Sequence, residues 1–138
     1  MNIRKTLVST LLLSLALSAT AADLLDSVKQ RGTLKVALEG TYPPFNYKEN
    51  GQLAGFEVEL ANALAQKIGV KADFSTSEWS AILAGLQAGK YDVVINQVGI
   101  TDKRKETFDF STPYTLSSPQ LIIRQDEKRD FKTLADLK

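Results

Sequence analysis

Between Thr33 and Ile95 the apolar residues change their spacing repeatedly, and this narrows the fold more than any other feature of the chain. Leu34, Val36 and Leu38 alternate, which predicts a strand over 33–38. Phe56, Leu60, Leu64 and Ile68 then recur every fourth residue, with Ala61 and Ala65 beside them, which predicts a helix from Glu57 to Ile68. Glu57 and Glu59 stand in its first turn, where the helix dipole favours negative charge and accounts for both. Gly69 suits its C-terminal end. Alternation returns over Val70 to Phe74. Trp79, Ile82, Leu83 and Leu86 share one face of a second helix over about 78–88, with Ser77 as N-cap and Gly89 as its stop. Asp92-Val93-Val94-Ile95 ends the series as a short apolar run, the pattern of a strand covered on both faces. Strand, helix, strand, helix, strand predicts an α/β fold with right-handed crossovers and a parallel sheet.

Around this unit lie smaller elements. Asp23 to Arg31 reads as a helix with Leu24, Leu25 and Val28 on its apolar face, ended by Gly32. Asn50-Gly51 predicts a tight turn between the short strands at 46–47 and 52–54. The stretch Glu39-Gly40-Thr41-Tyr42-Pro43-Pro44-Phe45 cannot continue a strand, because its prolines lack N–H donors. Parallel sheets of this type bind ligands outside the carboxyl ends of their strands. Two such ends are 39–45 and 96–101, which sets Glu39, Tyr42, Phe45 and Asn96 to Thr101 on one rim.

The start of the chain bears on its compartment. Arg4 and Lys5 precede an apolar run from Leu7 to Leu17, and Ala19-Thr20-Ala21 offers a small-x-small cleavage site. This is the pattern of a secretory signal peptide over 1–21, and the run is too short for a membrane span, which needs roughly 20 apolar residues. With no cysteine in the sequence, neither disulfides nor lipid attachment at a cleavage-site cysteine is open to it. Removing residues 1–21 takes two bases and no acid, so the formal charge of +1 becomes −1. No basic field is left to hold nucleic acid.

The sequence has no histidine and no cysteine, which excludes Ser–His–Asp and Cys–His machinery and most zinc sites. It has no phosphate-binding loop of the Walker type. No cofactor and no metal are expected. The strand-end loops are richer in binding groups. Tyr42 and Phe45 flank a proline-stiffened turn, and Trp79 opens the helix after the third strand-like segment. These rings have two uses, filling the core or walling a small ligand and facing its ammonium group. Thr101-Asp102-Lys103-Arg104 opens a short helical turn, where free N–H groups and a guanidinium together could clamp a carboxylate. By spacing alone Arg104 reads equally well as a surface charge, and Lys103 and Lys105 read only as that.

Four separated blocks then resemble one family in order and spacing. They are Glu39 to Phe45, the helix opening Gly55-Phe56-Glu57-Val58-Glu59-Leu60, the stretch Asp92 to Val98, and Asp109-Phe110-Ser111-Thr112-Pro113-Tyr114. The family is the family 3 extracellular solute-binding proteins. Among its subfamilies the L-cystine-binding proteins are the most similar, through Glu-Gly-Thr-Tyr-Pro-Pro-Phe and Ile-Asn-Gln-Val. The resemblance implies a periplasmic-binding-protein-like (type II) lobe with a mainly parallel sheet flanked by helices, in a monomer that captures an amino acid for an inner-membrane ABC permease. It implies Arg104 on the ligand α-carboxylate, Tyr42 and Trp79 as walls, and Glu39 facing the amine or side chain. Asn96 and Gln97 would contact the amino group.

Gly99 departs from the family pattern, where Ser or Thr commonly gives the carboxylate a hydroxyl. The resemblance also implies a second lobe, so that this sequence divides into a leader over 1–21, a first lobe over 22–124 that Pro119 to Arg124 leads out of as a strand, and the truncated start of the second lobe over 125–138. The charged stretch Arg124 to Lys132 reads as a solvated connection. A competing implication of the same fold is a periplasmic enzyme such as a cyclohexadienyl dehydratase. Such an enzyme needs an acid or base in the cleft, and this half offers only Glu39 as an easy candidate.

Overall fold

A computed structural model describes residues 23–137; the signal peptide expected over 1–21 lies outside the described residues. Its centre is strand β1 (Thr33–Leu38), which runs parallel to β4 (Lys71–Thr76) on one side and to β5 (Val93–Val94) on the other. Val36 pairs with Phe74 and with Val93 at once. A strand paired on both edges is sealed from water, and Val36, Ala37 and Leu38 have no exposure. Burying a Val or Leu side chain in this way contributes about 1.5–3 kcal/mol each. The chain leaves β1 toward β4 through α2 (Phe56–Ile68) and then returns past β1 to β5 through α3 (Trp79–Gln87). The strand order therefore reverses at β1, where such sheets open a crevice.

Between β1 and α2 lies a hairpin of β2 (Tyr47–Glu49) and β3 (Gln52–Ala54). Its turn residues Asn50 and Gly51 both take positive φ, 51° and 82°, as the Asn-Gly pair foretold. The core on one side of the sheet is Val28, Leu34, Val36, Ala61, Ala65 and Ile95, with Leu60, Ile68, Val70, Ala72, Phe74 and Val93 packed against it.

Several expected details differ. Helix α1 (Leu24–Arg31) buries Val28 alone and leaves Leu24 and Leu25 exposed, because so short a helix lays little of its surface on the core. On α2 the buried face is Glu57, Val58, Ala61 and Ala65, while Phe56 and Leu64 face outward. Small alanines bring the helix close to the sheet, and the large apolar residues flank that contact. Ser77 is not the N-cap of α3. Its N–H donates to the Leu38 carbonyl at 3.1 Å, extending the strand, so Glu78 takes the cap position. β5 has only two residues, and Val93 and Val94 are half-buried rather than covered on both faces.

The first of two compact units ends at Phe108. The second unit begins at Asp109 and holds one regular element, a 3-10 turn at Leu134–Leu137. Residues 119–124 do not form a strand; no strand among the described residues pairs with them, and Ile122 is 94% exposed. The charged stretch is solvated, with local pairs Arg124–Asp126, Glu127–Arg129 and Asp130–Lys132. Hydrogen bonding from the Arg129 side chain lowers the Glu127 carboxyl to about 2.

Candidate functional site

Three strand ends meet on one edge of the sheet, and the loops they release carry the candidate residues. β1 delivers Glu39, β5 delivers Asn96 two residues after Val94, and β4 runs through Ser77 into Trp79 at the start of α3. The β1 and β5 ends are joined by Asn96, whose Oδ1 accepts the Glu39 N–H at 2.8 Å and whose Nδ2 donates to Glu39 Oε2 at 2.8 Å. This bidentate pairing aims the Glu39 side chain. Oε1 of Glu39 has no partner among the described residues.

Beneath the rim lies a buried polar network. Asn46, Glu57 and Asn96 are 0%, 0% and 4% exposed, depths at which polar groups must find partners. Asn46 Oδ1 accepts the Gly40 N–H at 2.7 Å, and its Nδ2 donates to Glu57 Oε2 and, at 3.2 Å, to Asn96 Oδ1. Glu57 Oε1 accepts the Gln97 N–H at 2.7 Å and the Gln97 Nε2 at 3.2 Å. Among the described residues no buried side-chain nitrogen or oxygen is left unpaired.

Above this network are the rings and the arginine. Tyr42 and Phe45 pack at 5.4 Å between centroids on a turn closed by the Tyr42–Asn46 bridge, with a cis Pro43-Pro44 bond inside it. Tyr42 is 47% exposed and Phe45 half-buried, so neither belongs to the core. Trp79 is 39% exposed, and its ring lies under the Arg104 guanidinium, 5.4 Å from centroid to Cζ. Arg104 stands on α4 (Asp102–Lys105), whose N-cap Thr101 accepts the Arg104 N–H through its hydroxyl at 3.2 Å. Nη1 of Arg104 donates to the Gly99 carbonyl at 2.7 Å. The guanidinium is thus fixed by a ring below and a carbonyl beside it, which leaves its other N–H groups for an anion.

The structure therefore brings together Glu39 with Asn96, Tyr42 with Phe45, and Trp79 with Arg104 and Gly99, on the loops and helix starts at one sheet edge. It also ties Asn96 and Gln97 into the support of this edge. Asn96 is buried with both ends of its amide engaged, so it orients Glu39 from below. Gln97 is tied to Glu57 by its backbone and its side chain. Glu57 and Asn46 are the residues that sequence reasoning missed. Glu57 looked like an ordinary first-turn acid, and its partners Asn46 and Gln97 lie 11 and 40 residues away in sequence, so no local signal marked it.

Residues 34–134 match the family model of bacterial extracellular solute-binding proteins, family 3. The L-cystine-binding protein TcyJ of Escherichia coli is 51% identical over 116 residues, 83% of this chain and 44% of that protein. The chain thus spans less than half the length of this relative. Among solved structures, the unliganded L-cystine solute receptor of Neisseria gonorrhoeae is similar with a TM-score of 0.62 and 47% identity, over 66% of this chain and 40% of that one. The arginine-bound domain 1 of TmArgBP, from T. maritima, is similar with a TM-score of 0.64 and 38% identity, over 66% of this chain and 71% of that one.

Proposed function

The chain belongs to the family 3 bacterial extracellular solute-binding proteins, and from that premise we propose that its rim captures a free amino acid, L-cystine first among candidates, for uptake through an ABC permease from the periplasm. The observation that carries this reading is the braced Arg104 guanidinium on the same sheet edge as a half-engaged Glu39 carboxylate. A zwitterion needs both charges met, and a planar guanidinium takes a carboxylate through two parallel N–H···O bonds. Tyr42, Phe45 and Trp79 add ring surface for the ligand stem. The L-cystine-binding relative supports the choice of ligand, and the arginine-bound domain 1 of TmArgBP supports a site that one lobe can hold. We read the site as binding without turnover. Glu39, the carboxylate that Asn96 orients, is partnered by an amide rather than by a second titrating group.

Thermal unfolding of the chain with and without millimolar L-cystine, arginine, histidine and glutamine tests this. A ligand present at about 100 times its dissociation constant should stabilise the folded state by roughly 2.7 kcal/mol. A rise of the midpoint with L-cystine alone names the ligand; a cooperative transition that no amino acid moves would end this reading.

Gly99 gives a second test in the direction of gain. A Cβ there would stand 3.5 Å from Arg104 Nη1, an ordinary contact, so serine fits. Its hydroxyl adds a hydrogen bond to the ligand carboxylate, worth about 1.5–3 kcal/mol for a charged partner. Gly99→Ser is expected to tighten amino-acid binding by roughly tenfold or more. Calorimetric titration of the variant beside its parent measures this, and unchanged affinity would place the carboxylate away from Gly99.

A further inference from the structure

We propose that Glu57, which faces no ligand, is a positioning residue of this rim: it sets the backbone where β5 gives way to the Asn96–Gly99 segment and, through Asn46 and Asn96, the aim of Glu39. This rests on the preceding assignment of the rim as an amino-acid site. Gln97 has φ +50°, a conformation that costs free energy for any residue with a Cβ and persists only where its surroundings impose it. The Glu57 carboxylate supplies the imposition by accepting the Gln97 N–H at 2.7 Å. Gly99, whose carbonyl braces Arg104, follows two residues later. The other Glu57 oxygen accepts from Asn46, which holds Gly40 and Asn96, and Asn96 holds Glu39. One carboxylate, itself without exposure, thus connects the segment behind the cation of the rim to the segment behind its anion.

The chemistry requires an acceptor-only group. Asn46 Nδ2, the Gln97 N–H and Gln97 Nε2 all donate to Glu57. A carboxamide at 57 presents an N–H to one of these donors. If the Asn46 amide turned to relieve that, its oxygen would leave the Gly40 N–H and its nitrogen would leave Asn96 Oδ1. Either way a ligand-facing segment loses its fixed geometry, although the apolar core of Val36, Ala61 and Ala65 is untouched.

The test compares Glu57→Gln with the parent in the whole chain, by L-cystine titration and by the amide resonance and hydrogen exchange of Gln97. The expected result is a folded variant whose Gln97 amide moves upfield and loses protection, whose Val36 and Leu38 amides stay protected, and whose affinity for L-cystine falls about tenfold or more. A folded variant with unchanged affinity, or an unmoved Gln97 amide, would overturn the proposal. Should Glu57→Gln fail to fold, Glu57→Asp keeps an acceptor-only group one methylene shorter, and the same two readouts decide. If the parent binds no amino acid at all, the ligand reading fails by itself; the Gln97 amide of the unliganded chain then decides whether Glu57 holds the segment.

Discussion

Replacing Arg104 with alanine is expected to abolish amino-acid binding, with an affinity loss on the order of a hundredfold or more, while the thermal midpoint of the unliganded chain barely moves. The two effects separate because of where the guanidinium sits. It is half-buried on a four-residue helix, and its partners are the Trp79 ring and the carbonyl of Gly99, both exposed enough to be taken over by water when the side chain is gone. No buried charge is left unpaired, so the fold loses little. The ligand carboxylate loses its planar two-bond partner outright. Arg104→Lys is expected to recover only part of the loss. An ammonium is a point charge that cannot keep the Gly99 carbonyl and a carboxylate in one plane, and it stacks less well on Trp79. Calorimetric titration and thermal unfolding of the parent and both variants decide the matter. An alanine variant that binds as tightly as its parent would move the carboxylate site away from α4.

The part of this molecule that was legible in advance is the part governed by local periodicity. β1 was bounded at Thr33 and Leu38 because alternation and the flanking glycine and proline residues leave little freedom there. The Asn50-Gly51 turn and the helical turn opening at Thr101 were equally readable, since each depends on residues next to one another. What failed was the assignment of faces and depths. A four-residue period marks an apolar stripe, but on α2 the closest approach to the sheet needs Ala61 and Ala65, and Phe56 and Leu64 are displaced to its margins. The same rotation carries Glu57 inward. No local signal distinguishes a carboxylate that caps a dipole from one that receives donors from residues 46 and 97, because those partners come together only when β5 is laid beside β1. The strand-end placement of Glu39 and Asn96 was legible from periodicity, whereas their pairing had to await the tertiary hydrogen bonds.

Gly55→Ala is expected to destabilise the chain by about 3–5 kcal/mol, a large share of the roughly 5–15 kcal/mol that holds an ordinary domain folded. Gly55 has φ +112°, a region that L side chains rarely enter. A Cβ built there would stand 2.5 Å from the Phe45 carbonyl oxygen and 2.8 Å from that of Pro44. Both obstacles are backbone, so no rotamer change relieves them. The close approach has a purpose visible in the hydrogen bonds: the Phe56 N–H donates to the Pro44 carbonyl at 3.2 Å and the Glu57 N–H to the Phe45 carbonyl at 2.8 Å. The start of α2 is stitched to the turn that bears Tyr42 and Phe45, and a methyl group at 55 would drive the two apart, taking Glu57 away from Asn46 as well. Gly51→Ala is the matched control. It too has positive φ, +82°, but nothing lies within 4 Å of its added Cβ, so only the conformational cost of about 1 kcal/mol is expected. Thermal unfolding of the two variants should therefore differ by roughly 10 °C or more. Equal shifts would mean that the helix start can retreat from the turn at little cost, and that the rim does not depend on this contact.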